Sequence, residues 1–295
     1  MNTSPLLEVR NLSLSVRGPR GTRTPILRGL SLCLESQAVH GLVGESGGGK
    51  TMVGKAILGV LPDGARIDSG SIWFDGQDLT LLRPTERRRL LGRSMSMILQ
   101  NPMTALNPVM RIETQITDVL QFHMGMKKKA ARARALEMLE AVRIRDPERV
   151  MKQHPHQLSG GMCQRIVIAI AFACRPKLII ADEPTTALDV TVQHQILRLI
   201  RELQEQFGTS VLFVTHDLGV VAKVCDAISV IFAGTILESG TTHDVFRLPK
   251  HRYTQALLDA VPRYDRPNRL LQPISSTLHA ELFDEIVNHQ GVSAA

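Results

Sequence analysis

The stretch GESGGGKT at residues 44–51 packs four glycines into eight positions, and no other part of the chain constrains the fold as much. Glycine reaches backbone conformations closed to other residues and lets another group approach the main chain closely. Before the stretch, the apolar run through Val39, Leu42 and Val43 reads as a buried strand. After it, TMVGKAILGV at residues 51–60 has helical spacing and stops at Pro62 and Gly64. A strand, a glycine loop and a helix in that order make an anion cradle, because loop N–H groups point inward and the positive end of the helix dipole adds to them. The spacing of Gly44, Gly49, Lys50 and Thr51 fits GxxxxGK[ST], in which the lysine is a mobile cation for phosphates and the hydroxyl can hold Mg²⁺. A glycine-rich turn matching by chance has no need of the flanking strand and helix. The phosphate-binding set is therefore Gly44, Glu45, Ser46, Gly47, Gly48, Gly49, Lys50 and Thr51.

Elsewhere, apolar runs of strand length alternate with helical patterns, which predicts an α/β fold around a largely parallel sheet. The part up to Leu34 is richer in β pattern, with LLEVRNLSLSV and ILRGLSLCLES alternating around a polar break at residues 18–25. From Thr104 to about His156 the pattern turns helical, clearest in ARALEMLEAV at residues 133–142, and predicts a helical insertion. The 295 residues, 43% hydrophobic and 21% charged, can bury a sizeable core. The cysteines Cys33, Cys163, Cys174 and Cys225 form no CxxC pair, so neither a disulfide framework nor a zinc site is expected. No signal pattern is seen, and the longest apolar run, residues 166–174, is too short to span a bilayer. The net charge of +7 suits an anionic surface or nucleic acid, but the basic residues are spread along the chain except in KKKAARAR at residues 127–134, read as the solvated face of a helix.

A second chemical element is LIIADEP at residues 178–184. Its apolar residues form a buried strand whose end presents Asp182 and Glu183. One carboxylate there can orient Mg²⁺ through water while its neighbour polarises an attacking water. A strand with an acidic turn is the bland reading of these residues alone, and GESGGGKT weighs against it. A third element, LSGGMCQR at residues 158–165, opens onto the apolar helix IVIAIAFAC. Ser159, Gly160 and Gly161 make a second anion-binding helix N-terminus.

With these residues the sequence resembles the ATP-binding cassette family, whose signature is LSGGQ-like. Gln100 in MILQNPMTALNP is similar to the Q-loop, residues 186–189 (TALD) with Asp189 to the D-loop, and His216 in FVTHDLGVV to the switch histidine. The resemblance spans roughly residues 6–265. It implies a P-loop NTPase (RecA-like) core with an N-terminal antiparallel β subdomain and an inserted helical subdomain at about 102–160, within a cassette of residues 1–262 followed by a tail, 263–295. It further implies ATP and Mg²⁺ as cofactors and two cassettes docked head to tail. Each ATP then lies between Lys50 and Thr51 of one and Ser159, Gly160 and Gly161 of the other. In this arrangement Glu183 is the base, His216 contacts the γ-phosphate, Gln100 senses Mg²⁺ and water, Thr51, Gln100 and Asp182 serve the metal, and Asp189 links the two sites.

Within the family, MILQNPMTALNP, IADEPTTALDVTVQ, THDLGVVA and PKHRYTQALLDAVPR at residues 249–263 look like the importers of dipeptides, oligopeptides and nickel. Peptide import is the first expectation, and nickel or another small solute is the alternative. The resemblance implies a second cassette subunit, identical or not, two transmembrane permeases, a periplasmic solute-binding protein and a peripheral place on the cytoplasmic face of the bacterial inner membrane. His154 and His156 flank Pro155 just ahead of the signature, and a structural role is expected for them. There are departures as well. Gly48 stands where Ser is common, Cys163 replaces a frequent Arg, Arg252 sits where Pro is usual, and no cysteine follows Cys225, so no iron–sulfur cluster is expected. No aromatic residue precedes Trp73, and Val16 falls near the place where relatives stack a ring on adenine. A nucleic-acid ATPase, which would carry a coiled coil or fused cassettes, an export cassette and a scaffold with a broken site are the rival classes. No nucleic-acid partner is expected.

Overall fold

The computed structural model describes residues 4–18, 21–186, 188–260 and 275–291. In chain order the elements begin with β1 (Leu7–Arg17), β2 (Arg23–Leu34), β3 (Val39–Val43), α1 (Lys50–Leu58), β4 (Ala65–Phe74), β5 (Gln77–Asp78), α2 (Pro84–Leu90) and β6 (Met95–Ile98). Next come α3 (Pro102–Ala105), α4 (Ile112–Met124), α5 (Lys128–Ala141), α6 (Pro147–Met151), α7 (Gly160–Ala173), β7 (Leu178–Asp182), α8 (Val190–Phe207) and β8 (Ser210–Thr215). The rest are α9 (Leu218–Val224), β9 (Ala227–Phe232), β10 (Thr235–Thr241), α10 (Thr242–Arg247), α11 (Arg252–Asp259) and α12 (Ser276–Gly291). They fall into two units. One holds Leu34–Val39 and Leu81–Val214, and the other holds Leu7–Cys33, His40–Thr80 and the described residues from Thr215 onward.

In the unit containing Leu81–Val214, β6, β7 and β8 run parallel, with Met95 opposite Leu178 and Leu178 opposite Ser210. Every residue of β7 and β8 is buried, as expected of parallel strands covered on both faces. Between β6 and β7 the described chain is helical. α4 ends at Gly125, whose left-handed backbone (φ 65°) closes it. α8 turns Ile196, Leu199, Ile200 and Leu203 inward at helical spacing. The basic run lies partly on α5, where Lys128 and Lys129 are exposed and Arg132 pairs with Glu113 at 3.2 Å and with Glu148.

The other unit carries a sheet of order β2-β1-β4-β5. β1 and β4 are antiparallel, from Leu7 opposite Phe74 to Val16 opposite Ala65. The alternation read in LLEVRNLSLSV places Leu7, Val9, Leu12 and Leu14 in the core. β3 runs parallel to β9, with His40 opposite Ala227, and β10 returns antiparallel to β9. The helix expected at residues 51–60 is α1, which stops at Leu58 because Gly59 takes a left-handed conformation (φ 74°) and caps it before Pro62. Beyond β10, the Glu238 carboxylate accepts the N–H groups of Lys250 (2.8 Å) and His251 (3.0 Å), which fixes the entry to α11. The end of PKHRYTQALLDAVPR, residues 261–263, lies outside the described residues.

Candidate functional site

The predicted site residues form two groups, one in each unit. In the unit with β3, the strand delivers the chain to Gly44, where a Cβ would lie 2.1 Å from the Ile231 carbonyl oxygen, so only glycine fits. Gly47 and Gly49 are left-handed (φ 84° and 98°), which explains the density of glycine in this loop. Gly49 is the N-cap of α1 and brings no side chain to cap it. Lys50 begins the helix and is 5% exposed. Its Nζ donates to the carbonyl oxygens of Gly44 and Glu45, both at 2.8 Å. Thr51 follows in the first turn, and Ser46 is exposed. His216 belongs to the same unit, exposed on the turn after β8. That turn is pinned, because Asp217 donates its N–H to the Thr215 hydroxyl (3.0 Å) and accepts from Gly219 N (2.8 Å) at the start of α9.

In the unit with β7, Asp182 is the last strand residue, 7% exposed and in register with Val214. Glu183 sits beyond the strand in a left-handed conformation (φ 45°), its N–H donating to the Val214 carbonyl at 2.8 Å. Its Oε2 accepts from Gln100 Nε2 and from Thr186 Oγ1, both at 2.9 Å. Gln100 therefore reaches Glu183 across a wide sequence gap. Ser159 is the N-cap of α7 and accepts from Met162 N at 3.3 Å. A Cβ on Gly160 would meet nothing within 4 Å, whereas one on Gly161 would lie 3.3 Å from Val192 Cγ1 on α8. Asp189 caps α8 by accepting from Val192 N at 2.9 Å. Ala187, in the TALD stretch, lies outside the described residues.

Two contacts that the sequence did not disclose join this group. The Thr186 hydroxyl holds Glu183. Gln164, wholly buried in α7, donates from Nε2 to the Pro184 carbonyl at 2.7 Å and so ties the signature helix to the turn that carries Glu183. Neither contact has a sequence signal, since both depend on how a turn meets a distant element. Cys163 is buried, its Sγ near the Pro155 carbonyl at 3.5 Å, and burial pushes its thiol pKa up. His154 and His156 stack on each other at 5.6 Å between centroids.

The pattern of the ABC transporter family matches residues 27–186, and that of the oligopeptide/dipeptide transporter C-terminal region matches residues 237–283. The chain belongs to the ABC transporter family. It is an ATP-binding, ATP-hydrolysing cassette of that family. It is 45% identical over 262 residues to the oligopeptide transport ATP-binding protein OppD of Haemophilus influenzae, covering 89% of this chain and 80% of that protein. It is 48% identical over 273 residues to the dipeptide transport ATP-binding protein DppD of Bacillus subtilis, covering 92% and 81%. Its fold overlaps a solved dimeric ATP-binding cassette in a post-hydrolysis state bound to ADP and Pi, with TM-score 0.71 and 25% identity, over 80% of this chain and 98% of that one.

The residues of the cassette fit a nucleotide carrying its own cation. The uncapped helix N-terminus and the strand-packed glycine suit phosphate oxygens. Among the described residues no group of three His, Cys, Asp or Glu could hold a metal. The Thr51 hydroxyl and the Asp182 carboxylate are oxygen donors of the kind Mg²⁺ takes in phosphoryl-transfer sites. Among the described residues no helix is long and apolar enough to cross a membrane.

Proposed function

We propose that this cassette is the energy-coupling subunit of a bacterial importer of di- and oligopeptides. The match of residues 237–283 to the oligopeptide/dipeptide transporter C-terminal region carries this reading. The cassette pairs with a second one, identical or homologous, and docks from the cytoplasmic face of the inner membrane onto two permease subunits served by a periplasmic solute-binding protein. Lys50, Thr51 and the N–H groups of residues 44–49 hold the triphosphate. Ser159, Gly160 and Gly161 cap the nucleotide of the partner cassette, and Asp189 links the two sites. Thr51, Asp182 and Gln100 would hold Mg²⁺, which would supply charge neutralisation on the phosphates.

Glu183 is the base. Its carboxylate takes a proton from water as the water oxygen bonds to the γ-phosphorus and the bond to the ADP oxygen breaks, and the proton then leaves with phosphate. Gln100 and Thr186 hold that carboxylate through two hydrogen bonds. His216, on its pinned turn, serves the γ-phosphate. Nucleotide drives a permease only to the extent that it favours the closed pair of cassettes.

The test is co-expression with candidate permeases and binding protein. The cassette should move to the membrane fraction, and peptide with its binding protein should stimulate ATP hydrolysis in the reconstituted complex. Stimulation by nickel or another solute but not by peptide would overturn the cargo. Tight, salt-sensitive binding to DNA or RNA that stimulates the ATPase would overturn the importer.

A further inference from the structure

The C-terminal helix α12 and the helix before it converge on one residue of the phosphate loop. Tyr253 on α11 is fully buried. Its hydroxyl accepts the Glu45 N–H at 3.4 Å and donates to Glu45 Oε2 at 3.2 Å. His279 on α12 places its Nε2 2.8 Å from the same Oε2. The Glu45 carbonyl is taken by Lys50 Nζ at 2.8 Å. Residue 45 is thus held by its N–H, its carbonyl and its carboxylate at once.

The rings that supply these contacts support one another. Phe232, the last residue of β9, lies 4.8 Å from the Tyr253 ring and 5.2 Å, edge on, from His279. Its neighbour Ile231 is the residue whose carbonyl leaves room only for glycine at position 44. α12 is seated by further contacts at helical spacing. Leu282 is 1% exposed, Arg28 lies 5.8 Å over the Phe283 ring, and Arg252 pairs with Glu281 at 3.0 Å and with Glu285.

We propose that Tyr253 and His279 are positioning residues for nucleotide binding: through Glu45 they fix the phosphate loop, so the segment after β10 sets how well the loop holds a triphosphate. The proposal rests on the reading of Gly44–Thr51 as the nucleotide site. A loop held in one arrangement before its ligand arrives loses less freedom on binding, so cutting these bonds should weaken affinity more than turnover.

The test uses the full chain and ATP, with affinity measured by calorimetry. Tyr253→Phe keeps the ring on Phe232 and removes only the hydroxyl, and His279→Ala removes a partly exposed contact. Each should weaken ATP binding by about three- to tenfold, the size of one lost hydrogen bond, with kcat at saturating ATP within about twofold. In a Glu45→Ala background His279→Ala should have no further effect and Tyr253→Phe a smaller one than in the wild type, because only the contact with the residue 45 N–H is left to lose, and denaturant unfolding of nucleotide-free protein should show the same coupling between positions 45 and 253. Lys50→Ala serves as the control for the site. If Lys50→Ala binds ATP like the wild type, the site reading falls and this inference with it. If Lys50→Ala loses binding while Tyr253→Phe and His279→Ala retain wild-type affinity, the positioning role alone is overturned. A drop in melting temperature with unchanged affinity, or effects that simply add to Glu45→Ala, would also overturn it.

Discussion

The strand that leads into the phosphate loop contains a buried histidine, and acid should loosen the fold through it. His40 on β3 is 7% exposed, with Nε2 2.8 Å from the Ser229 hydroxyl, which in turn lies 2.7 Å from that of Ser239. Its ring partner is a hydroxyl, which offers an imidazolium far less than a carboxylate would. Burial pushes its pKa down from 6.5 to about 4. Between those values the unfolded chain binds a proton that the folded chain refuses. Stability from this group is therefore complete above about pH 6.5 and is lost as pH falls toward 4. The whole window is worth roughly 3 kcal/mol, and the step from pH 7 to pH 5 about 2 kcal/mol.

The comparison is denaturant unfolding of wild type and His40→Gln at pH 7 and pH 5. Glutamine keeps an amide near Ser229 and does not titrate. Burial also pushes down His123 and His251, but both are present in the two proteins and cancel. The carboxylates held low, such as Glu148 and Glu238, lose their contribution only as pH falls from about 4.5, below the range used. Wild type should lose about 2 kcal/mol more than the variant over this step. Equal losses in the two proteins, or a His40 resonance titrating near 6.5 in the folded chain, would refute the reasoning.

Three further outcomes follow from the site. Glu183→Gln should bind ATP as the wild type does but lose roughly 10²–10⁴-fold in turnover in the reconstituted complex, and near-normal phosphate release would remove Glu183 from its role as base. Gly44→Ala places a methyl where the Ile231 carbonyl lies 2.1 Å away, and overpacking of that kind should weaken ATP binding by about tenfold or more; unchanged affinity by calorimetry would mean that the loop can shift without cost. If Val16, half-buried on β1 opposite Ala65, lies at the adenine in place of an aromatic, wild type should discriminate weakly between ATP and GTP. Val16→Tyr should bind ATP more tightly, since a base stack is worth about 1–3 kcal/mol in single-strand binders. A strong wild-type preference for ATP that the substitution leaves unchanged would place the adenine contact elsewhere.

The features legible in the sequence are those whose cause is local. The glycines of residues 44–49 announce a loop because each steric demand is met within a few residues. Ser159 announces a helix start because its short polar side chain reaches an N–H three residues on. Strand β7 is readable as an unbroken apolar run. What stayed hidden depends on distant partners. LIIADEP gives the two acids but not the left-handed backbone at Glu183, which is set by the Val214 carbonyl on a neighbouring strand. Residues 276–287 (STLHAELFDEIV) lie within α12, yet nothing in their pattern points to Glu45. Arg252 read as a departure where Pro is usual, and its partners Glu281 and Glu285 lie on a helix whose seat only the structure displays.

The same division explains where the cassette stores strain. A non-glycine residue in the left-handed region costs of order 1–3 kcal/mol and persists only where its surroundings hold it. At Glu183 the N–H donates to β8 and the carbonyl accepts from Thr186 N at 3.3 Å, while the carboxylate is held by Gln100 and Thr186. Gln164 secures the next residue, Pro184, from the helix that begins at Ser159. A relaxed strand continuation would send residue 183 to the opposite face from its neighbour along the pleat. The left-handed step instead takes the carboxylate out of the strand's alternation, where an amide and a hydroxyl can orient it. If Glu183 is the base, as proposed, those contacts offer a means of control: whatever moves Gln100 or the start of α7 would also move the carboxylate that takes the proton.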